Sequence, residues 1–358
     1  MDFRTIAYLN WVKTTSRARI NLCRSGVPDC KLSELGLDFG SLELGGQHPY
    51  GYPQLAEAIA ARYGVRPDNV VTTVGTSMAI FMACAALLDR GDEALIESPA
   101  YEPLVEVPRV LGAVLKRVPR RFEDGFQVDP DEWKRALSKK TKLAFVTNLH
   151  NPSGVAMPKA ELRNLAGLAG ERGVMLLVDE VYLEFLRDSP LETAFPLNEN
   201  IVVLSSLTKV FGLTGLRCGW ILAPAPLAQK LQRMKDYLFN EEVFLSEQIA
   251  ARLLPVLDSL RDKHLPLVDR NKAAVREFMA GEPRLRWVEP AAGIVCFPRV
   301  EPPFSGRTFA ELLQERFETS VVPGDFFEAP AHFRLGFYAD PAALAEGLAN
   351  MRRALDSR

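Results

Sequence analysis

The stretch VMLLVDEVY, residues 174–182, decides the fold class. It opens with an uninterrupted apolar run and reaches a carboxylate only at Asp179. Runs of this kind are typical of parallel strands that helices cover on both faces. The segments LAFVT at 143–147 and IVVLS at 201–205 have the same character, and helix-like segments lie between such runs. The sequence therefore predicts an α/β fold with a mostly parallel sheet sandwiched by helices.

The pattern of the chain changes in its last third, where short strand-like segments follow a long helix-like one. We predict a large domain at residues 31–255. Residues 1–30 and 256–358 are predicted to form a smaller α+β domain. Two long helical stretches are expected, one from Met1 to about Ala18 and one from Glu242 to about Met279.

Composition limits the kind of partner. The chain has 358 residues and a formal net charge of -2, so it lacks the basic excess of nucleic-acid-binding proteins. No apolar run is long enough to span a bilayer, and no signal peptide is recognisable. The five cysteines are scattered without metal-type spacing, which predicts free thiols, no metal site and a cytoplasmic protein.

Polar residues follow several predicted strands directly. In open parallel sheets, ligands bind beyond the carboxyl ends of the strands, so these residues are expected to share one edge. They are Gly75, Thr76 and Ser77; Asn151; Asp179 and Tyr182; Ser206 and Lys209; and Arg217. The sequence thus predicts that an amine, a carboxylate and a guanidinium meet at one site. A buried lysine amine among cations is partly neutral, and therefore nucleophilic toward an aldehyde.

The motifs around these residues resemble the class I/II aminotransferases, which use pyridoxal 5′-phosphate (PLP) and share the aspartate aminotransferase fold. The matching stretches are TVGTSMA (73–79), ESPAYEP (97–103), NLHNPSG (148–154), VDEVY (178–182), SSLTKVFGLTGLRCGW (205–220) and FRLGF (333–337). They occur in the family's order and cover nearly the whole chain. The resemblance implies a PLP-dependent transferase-like fold with PLP as cofactor.

The resemblance also implies roles around the cofactor. Lys209 would form the Schiff base, Asp179 would pair with the pyridine nitrogen, and Tyr182 and Asn151 would bind the 3′ oxygen. Lys209, Asp179 and Tyr182 are therefore the predicted catalytic residues. Tyr101 would stack on the ring. The phosphate site would comprise Gly75, Thr76, Ser77, Ser206 and Arg217. Considered singly, several of these residues also suit helix capping, a turn or core packing.

Three further positions concern the substrate and the partner subunit. By resemblance, Arg334 would bind the substrate α-carboxylate together with Asn151 and the backbone of Gly26. A tyrosine of the neighbouring subunit usually reaches the phosphate, and Tyr50 is the predicted residue, with Tyr52 as the alternative. A homodimer with shared active sites would follow.

The predicted reaction is transfer of an amino group between an L-amino acid and a 2-oxo acid by a ping-pong mechanism. A PLP-dependent lyase or decarboxylase is the alternative on the same scaffold. A non-catalytic PLP-binding regulator is less expected, because such proteins carry an added DNA-binding domain and this chain starts close to the fold. An apolar substrate pocket, or simply core, is predicted for Tyr8, Trp11, Phe326 and Phe327.

Overall fold

The computed structural model describes residues 3–16, 18–46, 48–187, 191–239 and 241–357. The strands are β1 (Ile20–Asn21), β2 (Val70–Thr73), β3 (Glu93–Ser98), β4 (Val114–Pro119), β5 (Thr141–Thr147), β6 (Met175–Asp179), β7 (Ile201–Ser206), β8 (Gly219–Leu222), β9 (Leu285–Arg286), β10 (Val295–Cys296), β11 (Arg299–Val300), β12 (Thr319–Ser320), β13 (Val322–Pro323) and β14 (Phe333–Gly336). The α-helices are α1 (Ala7–Thr14), α2 (Pro53–Tyr63), α3 (Gly75–Leu87), α4 (Glu102–Val110), α5 (Pro130–Ala136), α6 (Lys159–Gly170), α7 (Ala225–Met234), α8 (Phe244–Leu253), α9 (Leu257–Asp262), α10 (Leu265–Ala280), α11 (Gly306–Phe317) and α12 (Pro341–Asp356).

A seven-stranded sheet forms the centre, in the order β2-β8-β7-β6-β5-β3-β4. Strand β8 runs antiparallel to both of its neighbours, β2 and β7, whereas the remaining pairs are parallel. Alternate residues of the central strands enter two separate apolar clusters: in β6, Val178 joins one cluster and Leu177 the other. Both faces of the sheet are therefore covered, and the predicted α/β architecture is confirmed.

Strands β4 and β8 and helices α5 and α7 of the large sheet region were not expected from the sequence. Strand β8 spans only Gly219–Leu222 and begins at the end of the motif stretch 205–220. Strand β4 lies at the sheet edge and its side chains are mostly exposed or half-buried, so it lacks a continuous apolar run. Helix α7 follows β8 and packs on the sheet through Ala228 and Leu231.

The two long helices predicted from the sequence are shorter in the structure. The helical stretch expected from Glu242 to about Met279 is divided into α8, α9 and α10. Pro255 lies in the 3₁₀ turn between α8 and α9, and Pro266 lies in the first turn of α10, where proline is compatible with a helix start. The N-terminal helix covers only Ala7–Thr14. Met1, Asp2 and Arg17, at the ends of the predicted helix, lie outside the described residues.

The N-terminal segment packs with the last third of the chain. Strand β1 pairs in parallel with β12, and the amide of Gly336 donates to the carbonyl of Leu22. Strands β10, β14 and β13 form a small antiparallel sheet that carries Arg334. These contacts agree with a smaller α+β unit, whose exact limits stay a prediction. Among the described helices, none is long and apolar enough to cross a membrane.

Candidate active site

The carboxyl ends of β5, β6 and β7 meet at one edge of the central sheet. Thr147 at the end of β5 pairs in register with Asp179 at the end of β6. Arg217 precedes β8, and because β8 runs in the opposite direction, its first residue pairs with Ser206 at the end of β7. The antiparallel strand therefore brings Arg217 to the same edge of the sheet as Asp179, although the two residues are far apart in sequence.

A cavity of about 660 Å³ opens at this edge. That volume suits a small-molecule ligand or a cofactor with a substrate. Its wall contains most of the predicted site residues, namely Gly26, Thr76, Ser77, Tyr101, Asn151, Asp179, Tyr182, Ser206, Lys209 and Arg217. The structure thus brings the amine, the carboxylate and the guanidinium together. Gly75, Arg334 and Tyr50 are not part of the cavity wall.

Lys209 lies in the loop after β7, and its amine faces the cavity. Its Nζ donates to Ser25 Oγ at 3.2 Å. Burial lowers the pKa of Lys209 to about 8, the positive charges of Arg334 and Arg217 lower it as well, and Asp179 opposes them. An amine with this pKa is deprotonated in a substantial fraction of molecules near neutral pH, which is what nucleophilic attack and proton transfer both require.

Asp179 is a buried carboxylate that forms no ion pair with a side chain of the described residues. Its Oδ1 accepts from the amide of Val181 at 3.0 Å. The pKa of Asp179 is raised to about 6, mainly by burial and also by the charge of Glu97, while the hydrogen bond from Val181 and the charge of Lys209 oppose the rise. A carboxylate in this environment gains most from a cation that it can pair with directly. A protonated pyridine nitrogen matches that requirement.

The opposite end of the cavity suits an anion. Helix α3 begins at Gly75, so Thr76 and Ser77 lie in its first turn, where backbone amides lack partners within the helix. Thr76 Oγ1 is buried and has no hydrogen-bond partner among the described residues. Gly75 adopts a φ of +76°, and a Cβ there would lie 2.5 Å from Arg217 Nη2. The orphaned hydroxyl, the free amides and the guanidinium fit the phosphate of PLP.

Two aromatic residues line the cavity between its ends. The hydroxyl of Tyr182 donates to the carbonyl of Ser25 at 2.7 Å, and burial raises the pKa of Tyr182 to about 12. Burial also raises the pKa of Tyr101 well above its usual value. Both phenols are therefore neutral near pH 7. Their roles at the 3′ oxygen and on the ring face stay predictions.

Arg334 lies just behind the cavity wall and is 0% exposed. Its Nη1 donates to Asn151 Oδ1 at 3.0 Å, and its Nη2 donates to the Tyr8 hydroxyl at 2.6 Å and to the carbonyl of Cys23 at 3.2 Å. Tyr8 and Asn151, which each accept one of these hydrogen bonds, both line the cavity. Gly26 lies next to Lys209, and a Cβ at Gly26 would be 3.4 Å from Lys209 Cδ.

Tyr50 is 42% exposed and lies away from this chain's own cavity. Its carbonyl accepts from the buried Lys235 at 3.1 Å, and the amide of Tyr52 donates to Glu247 at 2.6 Å. The loop that carries both tyrosines is thus anchored to the helical region that contains Glu247. The choice between Tyr50 and Tyr52 stays a prediction.

Several residues of the site were missed by reasoning from sequence. Ser25 contacts both Lys209 and Tyr182, yet it is an ordinary polar residue in a loop. Glu97 and Arg120 form an ion pair beneath the cavity, with both side chains 0% exposed. The acidic Glu97 near the end of an apolar strand was the one available signal, because a buried carboxylate needs a partner. Of the predicted substrate-pocket aromatics, Tyr8 lines the cavity, whereas Trp11 packs on Phe326.

Comparison with known proteins agrees with this geometry. Residues 31–350 match the family model described as aminotransferase class I and II. Capreomycidine synthase of Streptomyces vinaceus is 34% identical over 84% of this chain and 78% of its own length. The arginine–pyruvate transaminase of Pseudomonas aeruginosa is 30% identical over 82% of this chain and 77% of its own length. The crystal structure of the PLP-dependent cyclase OrfR superposes with a TM-score of 0.90 and 28% identity, covering 100% of this chain and 98% of that one.

The matched region contains Lys209, Asp179 and the phosphate-type site described above, whereas the part of the cavity wall formed by residues 8–29 precedes it. The predicted family, fold and cofactor are confirmed. The chain is therefore a PLP-dependent enzyme that belongs to the aminotransferase class I and II family.

Proposed function

We propose that this enzyme is an aminotransferase that moves the amino group of an L-amino acid to a 2-oxo acid. The observation that carries the proposal is the position of the Lys209 amine in one cavity with Asp179 and Arg217. Its pKa of about 8 suits a group that must accept a proton and return it. Relatives named as transaminases support the same reaction class.

Bound PLP would supply an aldehyde that condenses with amines and a ring that withdraws electrons from the substrate α-carbon. Lys209 Nζ would accept the proton from the substrate α-carbon and would then donate it back to the reacting molecule. Asp179 would hold a positive charge at the ring nitrogen. Arg217 and the first turn of α3 would fix the phosphate end, which sets the orientation of everything attached to it.

Arg334 and Asn151 would fix the substrate α-carboxylate. Because their hydrogen bond joins them at 3.0 Å, they act as one unit at the end of the cavity next to Tyr8. A bound carboxylate at this end would orient the α-C–H bond toward Lys209. Retention of an arginine for the carboxylate favours reactions that keep it, which argues for transamination over decarboxylation.

A second candidate is a cyclisation or other rearrangement on the same cofactor. The observation that favours it is the similarity to capreomycidine synthase and to the PLP-dependent cyclase OrfR, at 34% and 28% identity. Lys209, Asp179 and Arg217 would serve either chemistry equally, because both begin with labilisation of the α-proton. The products, and not the cofactor site, distinguish the two.

The site also supports a homodimer in the cytoplasm. Exposed apolar side chains gather on two segments, 43–52 and 237–248, that are joined by the hydrogen bond from Gln248 to the carbonyl of Glu43. They include Leu44, Tyr50, Tyr237, Val243 and Leu245. A patch of this kind is typical of an interface, and a two-fold partner would place its Tyr50 at this chain's phosphate site. All five cysteines are free thiols, which supports a reducing compartment.

The test is a product analysis of the purified holoenzyme. A panel of L-amino acids is supplied with pyruvate or 2-oxoglutarate, and both the new 2-oxo acid and the new amino acid are quantified. Equal amounts of the two products are expected. Lys209→Ala should abolish turnover, whereas the control Lys142→Ala, at an exposed position on β5, should not. Consumption of the amino acid without any transferred amine would reject transamination and favour the second candidate.

A further inference from the structure

Helix α1 is capped by a residue from a distant part of the chain. Its N-cap position, Ile6, provides no side-chain acceptor. Instead, the amides of Ala7 and Tyr8 donate to the two carboxylate oxygens of Glu102, at 2.9 and 2.6 Å. An anion at a helix N-terminus satisfies orphan amides and interacts favourably with the helix dipole. Glu102 therefore fixes the start of α1 against the first turn of α4.

Tyr8 is the residue that this cap places most directly. It is 5% exposed, and its ring packs edge-on against Tyr101 at a centroid distance of 5.9 Å. The Arg334 guanidinium lies 5.2 Å from the ring centroid of Tyr8, in addition to the 2.6 Å hydrogen bond from Nη2 to the phenol oxygen. Tyr8 thus contacts the residues predicted to bind the cofactor ring and the substrate carboxylate.

The hydrogen bonds at Arg334 leave a specific role for the Tyr8 hydroxyl. Nη2 uses its two N–H groups on Tyr8 and on the carbonyl of Cys23, and Nη1 uses one on Asn151. The Tyr8 oxygen accepts from Arg334, so its own proton points elsewhere. No acceptor for that proton is found among the described residues, and Tyr8 lines the cavity. The hydroxyl group of Tyr8 can therefore donate a hydrogen bond to an anion that occupies this end of the cavity, beside the guanidinium of Arg334.

We propose that Tyr8 binds the substrate carboxylate directly through its hydroxyl group and also orients Arg334, and that Glu102 is the positioning residue that holds Tyr8 in place. This inference rests on the proposed binding of an amino acid at the Arg334 end of the cavity. It assigns part of the substrate site to the N-terminal helix, which the motif pattern of the chain does not contain.

The test compares ligands with and without a carboxylate. The holoenzyme is titrated with the amino acid that it converts best and with the corresponding decarboxylated amine, and binding is followed by the absorption of the bound cofactor. Tyr8→Phe removes only the hydroxyl and keeps the ring packing. We expect the dissociation constant of the amino acid to rise about tenfold, as for a lost hydrogen bond to a charged group, and that of the amine to change less than about twofold.

Glu102 is tested in parallel by hydrogen–deuterium exchange, a measurement independent of catalysis. Glu102→Ala should speed exchange at the amides of residues 7 and 8 and weaken amino-acid binding selectively, as Tyr8→Phe does. Glu102→Gln keeps one of the two acceptor oxygens and should restore part of the exchange protection and part of the amino-acid binding. The matched control is Glu106→Ala on the same helix, because Glu106 pairs only with Arg109 in the described part of the chain. It should change neither measurement.

The outcomes separate this inference from the proposed function. Equal weakening of the amino acid and the amine, or no weakening in Tyr8→Phe, overturns the role of Tyr8. Unchanged exchange at residues 7 and 8 in Glu102→Ala overturns the role of Glu102. A wild-type enzyme that binds amino acids with the expected selectivity but transfers no amine would instead reject the aminotransferase proposal and leave the carboxylate site standing.

Discussion

The contribution of the buried ion pair between Glu97 and Arg120 to the stability of the protein can be tested quantitatively. Arg120 Nη1 lies 2.8 Å from Glu97 Oε2, and both side chains are 0% exposed. The other oxygen of Glu97 accepts from the amide and the hydroxyl of Thr147, at 2.7 and 2.6 Å, and Arg120 Nε donates to the carbonyl of Phe126 at 2.6 Å. The perturbation we choose is Glu97→Gln, which keeps one acceptor oxygen for Thr147, removes the charge and places an N–H donor where Oε2 accepts from Arg120.

The expected cost follows from leaving a buried guanidinium without its counter-charge. Breaking one partner of a buried pair typically costs about 3–5 kcal/mol, whereas an exposed pair contributes about 0–1 kcal/mol. We therefore expect Glu97→Gln to lower the free energy of unfolding by about 3 kcal/mol or more. The double variant Glu97→Gln/Arg120→Met should lose less, because the unpaired charge is gone as well.

Urea unfolding of the holoenzyme, followed by far-UV circular dichroism, provides the measurement. A lower midpoint at an unchanged m-value is the expected signature of lost stability. The control is Asp68→Asn, which breaks the pair between Arg66 and Asp68, with side chains 71% and 73% exposed. The reasoning is refuted if Glu97→Gln behaves like Asp68→Asn, or if the double variant is less stable than the single one.

Two other substitutions have clear expected outcomes. Gly75→Ala should weaken PLP binding about tenfold in an absorption titration, because its φ of +76° disfavours a side chain and the new Cβ would displace Arg217, whereas Gly215→Ala, which meets open space, should not. Burial lowers the pKa of His332 to about 4, so the unfolded chain binds a proton that the folded chain does not, and stability falls as the pH drops from about 6.5 toward 4. In His332→Phe, the new ring can stack on Phe297 as the imidazole does. This variant should reduce the difference in the free energy of unfolding between pH 7 and pH 5 by about 2 kcal/mol. An unchanged difference would contradict the role assigned to His332.

The sheet and its catalytic edge were predictable because their signals are local. Continuous apolar runs identify buried parallel strands, and polar residues at their ends mark the ligand edge. The antiparallel strand β8 was not predictable in the same way. It is four residues long, and its burial comes from pairing with β2 and β7, which are distant in sequence. Edge strand β4 was missed because one face meets solvent.

The side-chain network around the site could not be predicted for a different reason. From the sequence, Glu102 would be expected to interact with the dipole of its own helix, because it lies in the first turn of α4. In the structure it accepts hydrogen bonds from amides about a hundred residues away, in the N-terminal helix. Arg120 follows an edge strand, so the sequence suggests an exposed side chain, whereas its guanidinium is buried in the structure. In both cases the partner is determined by how separate elements pack together. The spacing of residues within a single helix or strand therefore does not predict it.

The buried ion pair is connected to the substrate end of the cavity by a continuous set of hydrogen bonds. The Thr147 hydroxyl donates a hydrogen bond to Glu97, and its oxygen accepts from the backbone amide of Asn151 at 3.2 Å. Asn151 Oδ1 in turn accepts from Arg334, which directs its amide nitrogen the other way. Glu97 also raises the pKa of Asp179 through its charge. One carboxylate on β3 is thus linked by hydrogen bonds to Asn151 and Arg334, the residues proposed to bind the substrate carboxylate, and by its charge to Asp179, the residue proposed to face the cofactor ring.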